Sequence, residues 1–195
     1  PQRAAAPAVP LGPAAGGAPA STPDARLGAI AGALSGAPVE VDCVTRGELA
    51  RRAGRADAWG LAESETRRIS LLREFCGFLE GVRGARPALP PYHAGPAVLV
   101  FAHEVEHIKG TRNEAAAECL ALEHLRRTVT LGFGASDAAW VRDALAAARR
   151  QHRLTPPEYR GGRCESAGAP AGPYVSRYSP SGRTPRSASS AMRSQ

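Results

Sequence analysis

The chain has 195 residues, a length that suits one domain, and its formal net charge is +7. Most of the excess lies at the end, where residues 160–195 contain six Arg and a single acidic residue, Glu165. Residues 24–159 are close to neutral and lack the basic stripe with interleaved aromatic residues of a folded nucleic-acid interface, so we expect no specific nucleic-acid partner.

Low-complexity segments flank the middle of the chain. Residues 1–23 are mostly Ala, Pro and Gly, and residues 167–195 are rich in Ser, Gly, Pro and Arg. Such segments cannot bury enough apolar surface to offset the entropy of ordering. The sequence therefore predicts a disordered leader at 1–23, a folded domain at 24–166 and a disordered basic tail at 167–195. The basic tail is expected to make only weak, salt-sensitive contacts with anionic surfaces.

The hydrophobic pattern of the middle segment predicts an α+β fold. Short alternating runs indicate a small N-terminal β-sheet, and apolar residues at helical spacing indicate about four helices after it. Gly110 is predicted to end one helix and Asn113 to cap the next. The predicted strands are 39–43, 58–61 and 68–71, and the predicted helices are 71–82, 96–109, 114–131 and 137–152.

The helix predicted at 96–109 carries the sequence His-Glu-Val-Glu-His at positions 103–107, an HExxH motif. Residues four apart lie on one face of a helix, so the imidazoles of His103 and His107 can bind one metal ion. Glu104 lies about 100° further round, where its carboxylate can act as general base on a metal-bound water. The motif therefore predicts a catalytic Zn²⁺ site.

A catalytic zinc ion normally takes a third protein ligand. Glu114 follows His107 by seven residues, and Gly110 lets the chain turn back towards the metal. Glu118 lies one turn further on, where it suits a carboxylate that accepts the outer N–H of a ligand histidine. These two roles can be exchanged. The other candidate ligands are Asn113, Glu123 and His124.

The sequences HEVEHIKG at 103–110 and NEAAAEC at 113–119 resemble the zincin superfamily of metallopeptidases. They are most similar to small uncharacterised metallopeptidases of high-GC bacteria with the pattern HExxHxxGxxxEAxxxC. The resemblance implies a zincin-like fold, a bound zinc ion and hydrolysis of a peptide or protein substrate. Two features depart from better-known branches: metzincins have His or Asp where this chain has Asn113, and gluzincins take their glutamate from further along the chain than Glu114.

Four cysteines bear on where the protein works. Cys43, Cys76, Cys119 and Cys164 are far apart and form no C-x-x-C pair, which argues against a cysteine-bound zinc ion. Their even number favours two disulfides in an exported extracellular or cell-envelope protein. Of the three possible pairings, Cys43 with Cys76 and Cys119 with Cys164 is slightly preferred. Four free thiols in a cytoplasmic protein are the alternative. No apolar run reaches the roughly 20 residues of a transmembrane helix, and we expect a monomer.

The sequence thus predicts a zinc metallopeptidase. Its alternatives are a catalytically inactive, zincin-like exported binding module and a nucleic-acid binder that works through its tail. Tyr92 and Tyr159 are candidates to stabilise an oxyanion. Glu106 is expected to be solvated, and His93 to lie on the surface.

Overall fold

The computed structural model describes residues 21–160, which form six α-helices and a four-stranded β-sheet and confirm the predicted α+β class. The strands are β1 Ser21–Pro23, β2 Glu40–Val44, β3 Gly60–Glu63 and β4 Arg68–Leu72. The helices are α1 Ala25–Ser35, α2 Arg46–Ala53, α3 Arg73–Glu80, α4 Pro91–Ile108, α5 Glu114–Arg127 and α6 Ala138–His152. A π-helical turn, Thr128–Gly132, continues α5, and a 3-10 turn, Pro157–Tyr159, follows α6.

The sheet has the order β1-β2-β4-β3 and is mixed. β2 and β4 pair in parallel at its centre, where Val41 faces Ile69 across the ladder and both side chains are buried. β1 and β3 pair antiparallel with the two central strands. β3 is therefore an edge strand, and it packs directly on α4.

Helix α4 is the centre of the helical layer, packed against α5 and α6. Its side chains are buried along most of its length, with Val98 and Phe101 inaccessible to solvent. It begins at Pro91, not at the predicted residue 96, because Pro91 occupies the first helical position, where a missing N–H costs little. Pro96 then lies inside the helix and cannot bond to the carbonyl of Tyr92, an exposed residue that water can reach.

Three elements were not expected from the sequence. The chain from Ser21 to Pro23 forms β1, so the folded domain begins before the predicted boundary at residue 24. Helices α1 and α2 alternate with the strands, in addition to the four predicted helices, which correspond to α3–α6 and follow the sheet. α1 consists mainly of Ala, Gly and Leu, a composition close to that of the leader, and α2 buries only Leu49. The rest of the predicted leader, and the tail at 167–195, lie outside the described residues.

A disulfide joins Cys43 on β2 to Cys76 on α3, with their Cα atoms 6.0 Å apart, and confirms the preferred pairing of these two cysteines. Cys119 is also disulfide-bonded. Its predicted partner, Cys164, lies outside the described residues. Within residues 21–160, no helix combines the length and the apolar character needed to cross a membrane.

Candidate metal centre

The candidate metal ligands lie on two consecutive helices. His103 and His107 occupy the last two turns of α4, and Glu114 is the first residue of α5. Between them the chain reverses at Gly110, whose φ of 100° is readily adopted only by glycine. The side chain of Asn113 caps α5 by accepting a hydrogen bond from the N–H of Ala116 at 2.9 Å. The predicted helix stop and cap are thus both confirmed.

Three side-chain atoms converge on one point. Nε2 of His103 lies 3.0 Å from Nε2 of His107 and 3.0 Å from Oε2 of Glu114, and His107 Nε2 lies 3.3 Å from the same oxygen. Among the described residues this is the one group of His, Cys, Asp or Glu side chains able to hold a metal ion. The structure therefore brings together the three residues that the sequence selected as ligands.

The outer nitrogens of both histidines face acceptors. Nδ1 of His103 lies 3.1 Å from Oε2 of Glu118, and Nδ1 of His107 lies 2.5 Å from the carbonyl oxygen of Thr111. A carboxylate and a carbonyl can only accept, so Nδ1 of each ring is assigned a proton. In a neutral ring this leaves the lone pair of Nε2 directed at the shared point and available to a metal ion. Two neutral rings in this arrangement would place two lone pairs 3.0 Å apart, so the site favours a positive charge, either a proton on Nε2 or a metal ion.

The pKa shifts of His103 and Glu114 also favour a positive charge within this group. Burial of the His103 ring opposes its charged form, but hydrogen bonds to Glu114 and Glu118 raise its pKa to about 10. Burial likewise opposes ionisation of Glu114, yet its hydrogen bonds to the two histidines lower its pKa far below the usual range. The group therefore holds a carboxylate against a positive charge, which a proton or a bound metal ion can supply.

Glu104 lies beside the group without joining it. Its side chain is buried, and that burial raises its pKa. A hydrogen bond with the backbone of Ala62 on β3 lowers the pKa of Glu104 and partly offsets the effect of burial. At Gly60 on the same strand, a Cβ atom would lie 2.5 Å from Oε1 of Glu104, so the carboxylate fills the space that this glycine leaves. The edge strand thus confines the candidate base.

Glu118 faces the outer side of the ligand histidines. Its side chain is 5% exposed, and its second oxygen, Oε1, lies 3.1 Å from Nδ1 of His152 at the end of α6. Of the two roles proposed for Glu118, the geometry matches the acceptor for a ligand histidine and not the third ligand. The sequence did not indicate His152, because the 34 residues that separate it from Glu118 follow no local spacing rule.

The group opens into a cleft of about 570 Å³. The walls include Leu61 of β3 and Trp59, which directly precedes this strand, and Leu154 and Tyr159 from the chain after α6. The ring of Tyr159 lies 5.6 Å from that of His103, centroid to centroid, and its hydroxyl lies 3.3 Å from Nη1 of Arg55. Burial raises the pKa of Tyr159, so the phenol stays protonated at neutral pH.

Several other predicted positions lie away from the cleft. Tyr92 is 61% exposed and does not line it. Glu106 is buried, which corrects the expectation that it is solvated, and its carboxylate lies 2.8 Å from Nζ of Lys109 and 2.9 Å from Nδ1 of His124. His124 is thereby engaged elsewhere, Glu123 is exposed, and His93 lies on the surface as expected, although within α4.

The chain matches no family model, no curated protein and no solved structure among those with which it was compared. The resemblance to zincins therefore rests on the sequence pattern. What the fold and the site define directly is an α+β domain with a cleft and a His-His-Glu group suited to a metal ion.

Proposed function

We propose that the protein is a zinc-dependent hydrolase, and specifically a metallopeptidase. The observation that carries the proposal is the convergence of His103, His107 and Glu114, with both outer histidine nitrogens held by acceptors. Two histidines and a glutamate are a common ligand set of catalytic zinc, and three protein ligands leave one position for water or substrate.

The spacing of the donor atoms fits this ion. Two atoms that are each about 2.05 Å from a zinc ion at the tetrahedral angle lie about 3.3 Å apart. The three separations in the group are 3.0, 3.0 and 3.3 Å. A small relaxation of the side chains is therefore sufficient to hold the ion.

When bound, zinc would lower the pKa of a water molecule and polarise a substrate carbonyl. Glu104 would take the proton from that water and deliver it to the leaving amine. Its carboxylate is buried, held against β3 and outside the ligand group, which suits a base that does not bind the metal. The phenol of Tyr159, facing the same cleft, would donate to the charge that develops on the carbonyl oxygen.

The position of β3 favours a peptide as substrate. β3 is an edge strand, and its residues Gly60–Ala62 line the cleft beside Glu104. An extended peptide can pair with such an edge through its backbone, and this would lay a peptide bond across the metal site. The Cys43–Cys76 disulfide is typical of oxidising compartments and supports an exported protein.

The proposal is tested by zinc content and peptide cleavage on the same purified protein. We expect close to one zinc per chain and cleavage of unstructured peptides, read by mass spectrometry. Glu104→Gln should keep the zinc and lose about 10²-fold or more in kcat, whereas His103→Ala should lose both. Zinc without cleavage of any peptide would favour an inactive binding module, and the absence of stoichiometric zinc would refute the metal centre.

A further inference from the structure

We infer that His152 is a positioning residue of the metal centre: it holds Glu118, and Glu118 in turn orients the ligand His103. The inference rests on the proposed metal centre and adds to it a residue from α6, a helix that contributes no ligand.

The three side chains form a continuous chain of contacts. Nδ1 of His103 lies 3.1 Å from Oε2 of Glu118, and Oε1 of Glu118 lies 3.1 Å from Nδ1 of His152. All three side chains are largely buried, with exposures of 8%, 5% and 19% respectively. Each oxygen of the Glu118 carboxylate therefore has an imidazole N–H as its partner.

If Glu118 contacted only His103, its carboxylate could still rotate about the side-chain torsions. The second contact comes from a different helix and fixes the plane of the carboxylate. If His152 cannot donate, Oε1 of Glu118 becomes a buried acceptor without a partner, which is costly, and the side chain is expected to turn towards water. Nδ1 of His103 would then lose the acceptor that sets its tautomer and ring orientation.

The protein contains a matched control for this arrangement. Nδ1 of His124 lies 2.9 Å from the carboxylate of Glu106, which is as buried as Glu118. Glu106 is on the same helix as the ligand histidines but contacts neither of them, pairing instead with Lys109. Removing His124 deletes the same kind of contact, and it should not disturb the metal ligands.

The experiment measures the zinc affinity of the full chain by competition with a chromophoric chelator, alongside thermal unfolding followed by circular dichroism. His152→Ala should weaken zinc binding about tenfold, at the lower end of the effects known for partners of metal-bound histidines. His152→Asn should restore the affinity to within about threefold of the original, because its amide nitrogen can donate from nearly the position of Nδ1. His124→Ala should change the affinity by less than about twofold.

His152→Leu keeps the volume of the side chain without a donor, and it replaces the Ala variant if that variant does not fold. Zinc affinity that is unchanged in folded His152→Ala or His152→Leu overturns the inference and leaves the metal centre standing. Equal losses in the His152 and His124 variants also overturn it, since they indicate general destabilisation. An original chain that binds no zinc overturns the metal centre itself.

Discussion

Gly60→Ala tests whether the edge strand β3 positions the carboxylate of Glu104. The added Cβ would lie 2.5 Å from Oε1 of Glu104, 2.8 Å from its Cγ and 2.9 Å from its Cδ. Non-bonded heavy atoms essentially never lie within 3.0 Å of a Cβ atom. The φ of Gly60 lies outside the left-handed region, so alanine strains the local backbone little and the conflict falls on the carboxylate.

The size of the effect follows from the required movement. Relaxing the shortest contact from 2.5 Å to an ordinary 3.4 Å displaces the Glu104 carboxylate by roughly 1 Å, and a misplacement of this size can cost about 10²-fold in rate. Because the three nearest contacts all involve Glu104 and not the metal ligands, we expect zinc affinity to change by less than about threefold. Peptide cleavage kinetics and chelator competition measure the two quantities on the same samples.

Gly47→Ala is the matched control, because a Cβ at Gly47 on α2 meets nothing within 4 Å. It should leave both zinc affinity and turnover unchanged. Turnover in Gly60→Ala equal to that of the control would refute the placement of Glu104 as the base held by β3. A parallel loss of zinc would show instead that β3 supports the ligands and not only the base.

Three further changes test separate parts of the structure. Glu114→Ala should lower zinc affinity at least about 10²-fold, whereas Glu123→Ala, an exposed change on the same helix, should not, as chelator competition will show. Tyr159→Phe should lower kcat about 10²-fold and leave zinc bound; unchanged kcat would remove the phenol from the proposed mechanism. Replacing Cys43 and Cys76 together by Ala should cost about 2–4 kcal/mol in the free energy of unfolding, measured by denaturant titration, because the bond spans 33 residues.

The sequence predicted the local part of the site well. His103, His107 and Glu114 lie within one helix, a turn and the start of the next helix, and their spacing alone sets which side chains share a face. Gly110 and Asn113 fix that turn through backbone rules that act over three or four residues. Such short-range rules can be read from a sequence without knowledge of the fold.

The parts that were missed depend on packing between distant segments. His152 reaches the site because α6 packs against α4 and α5, and no pattern in the sequence encodes that packing. Tyr159 was a candidate from the sequence, but only the fold places its ring beside that of His103. Glu106 was misjudged for the same reason, since its burial arises from packing of α4 in the core and not from its position in the motif. Helix α1 was hidden because its Ala and Gly content matches that of the segment before it.

In the proposed enzyme, the metal ligands and the general base depend on different parts of the fold. The ligands are specified within the short segment 103–114, whereas the surroundings of Glu104 come from β3, about 40 residues earlier in the chain. β3 is held in place by pairing with β4, which pairs with β2, and the disulfide at Cys43 ties β2 to α3. Disturbances of the sheet should therefore displace the base before they release the metal, so turnover should be lost more readily than zinc.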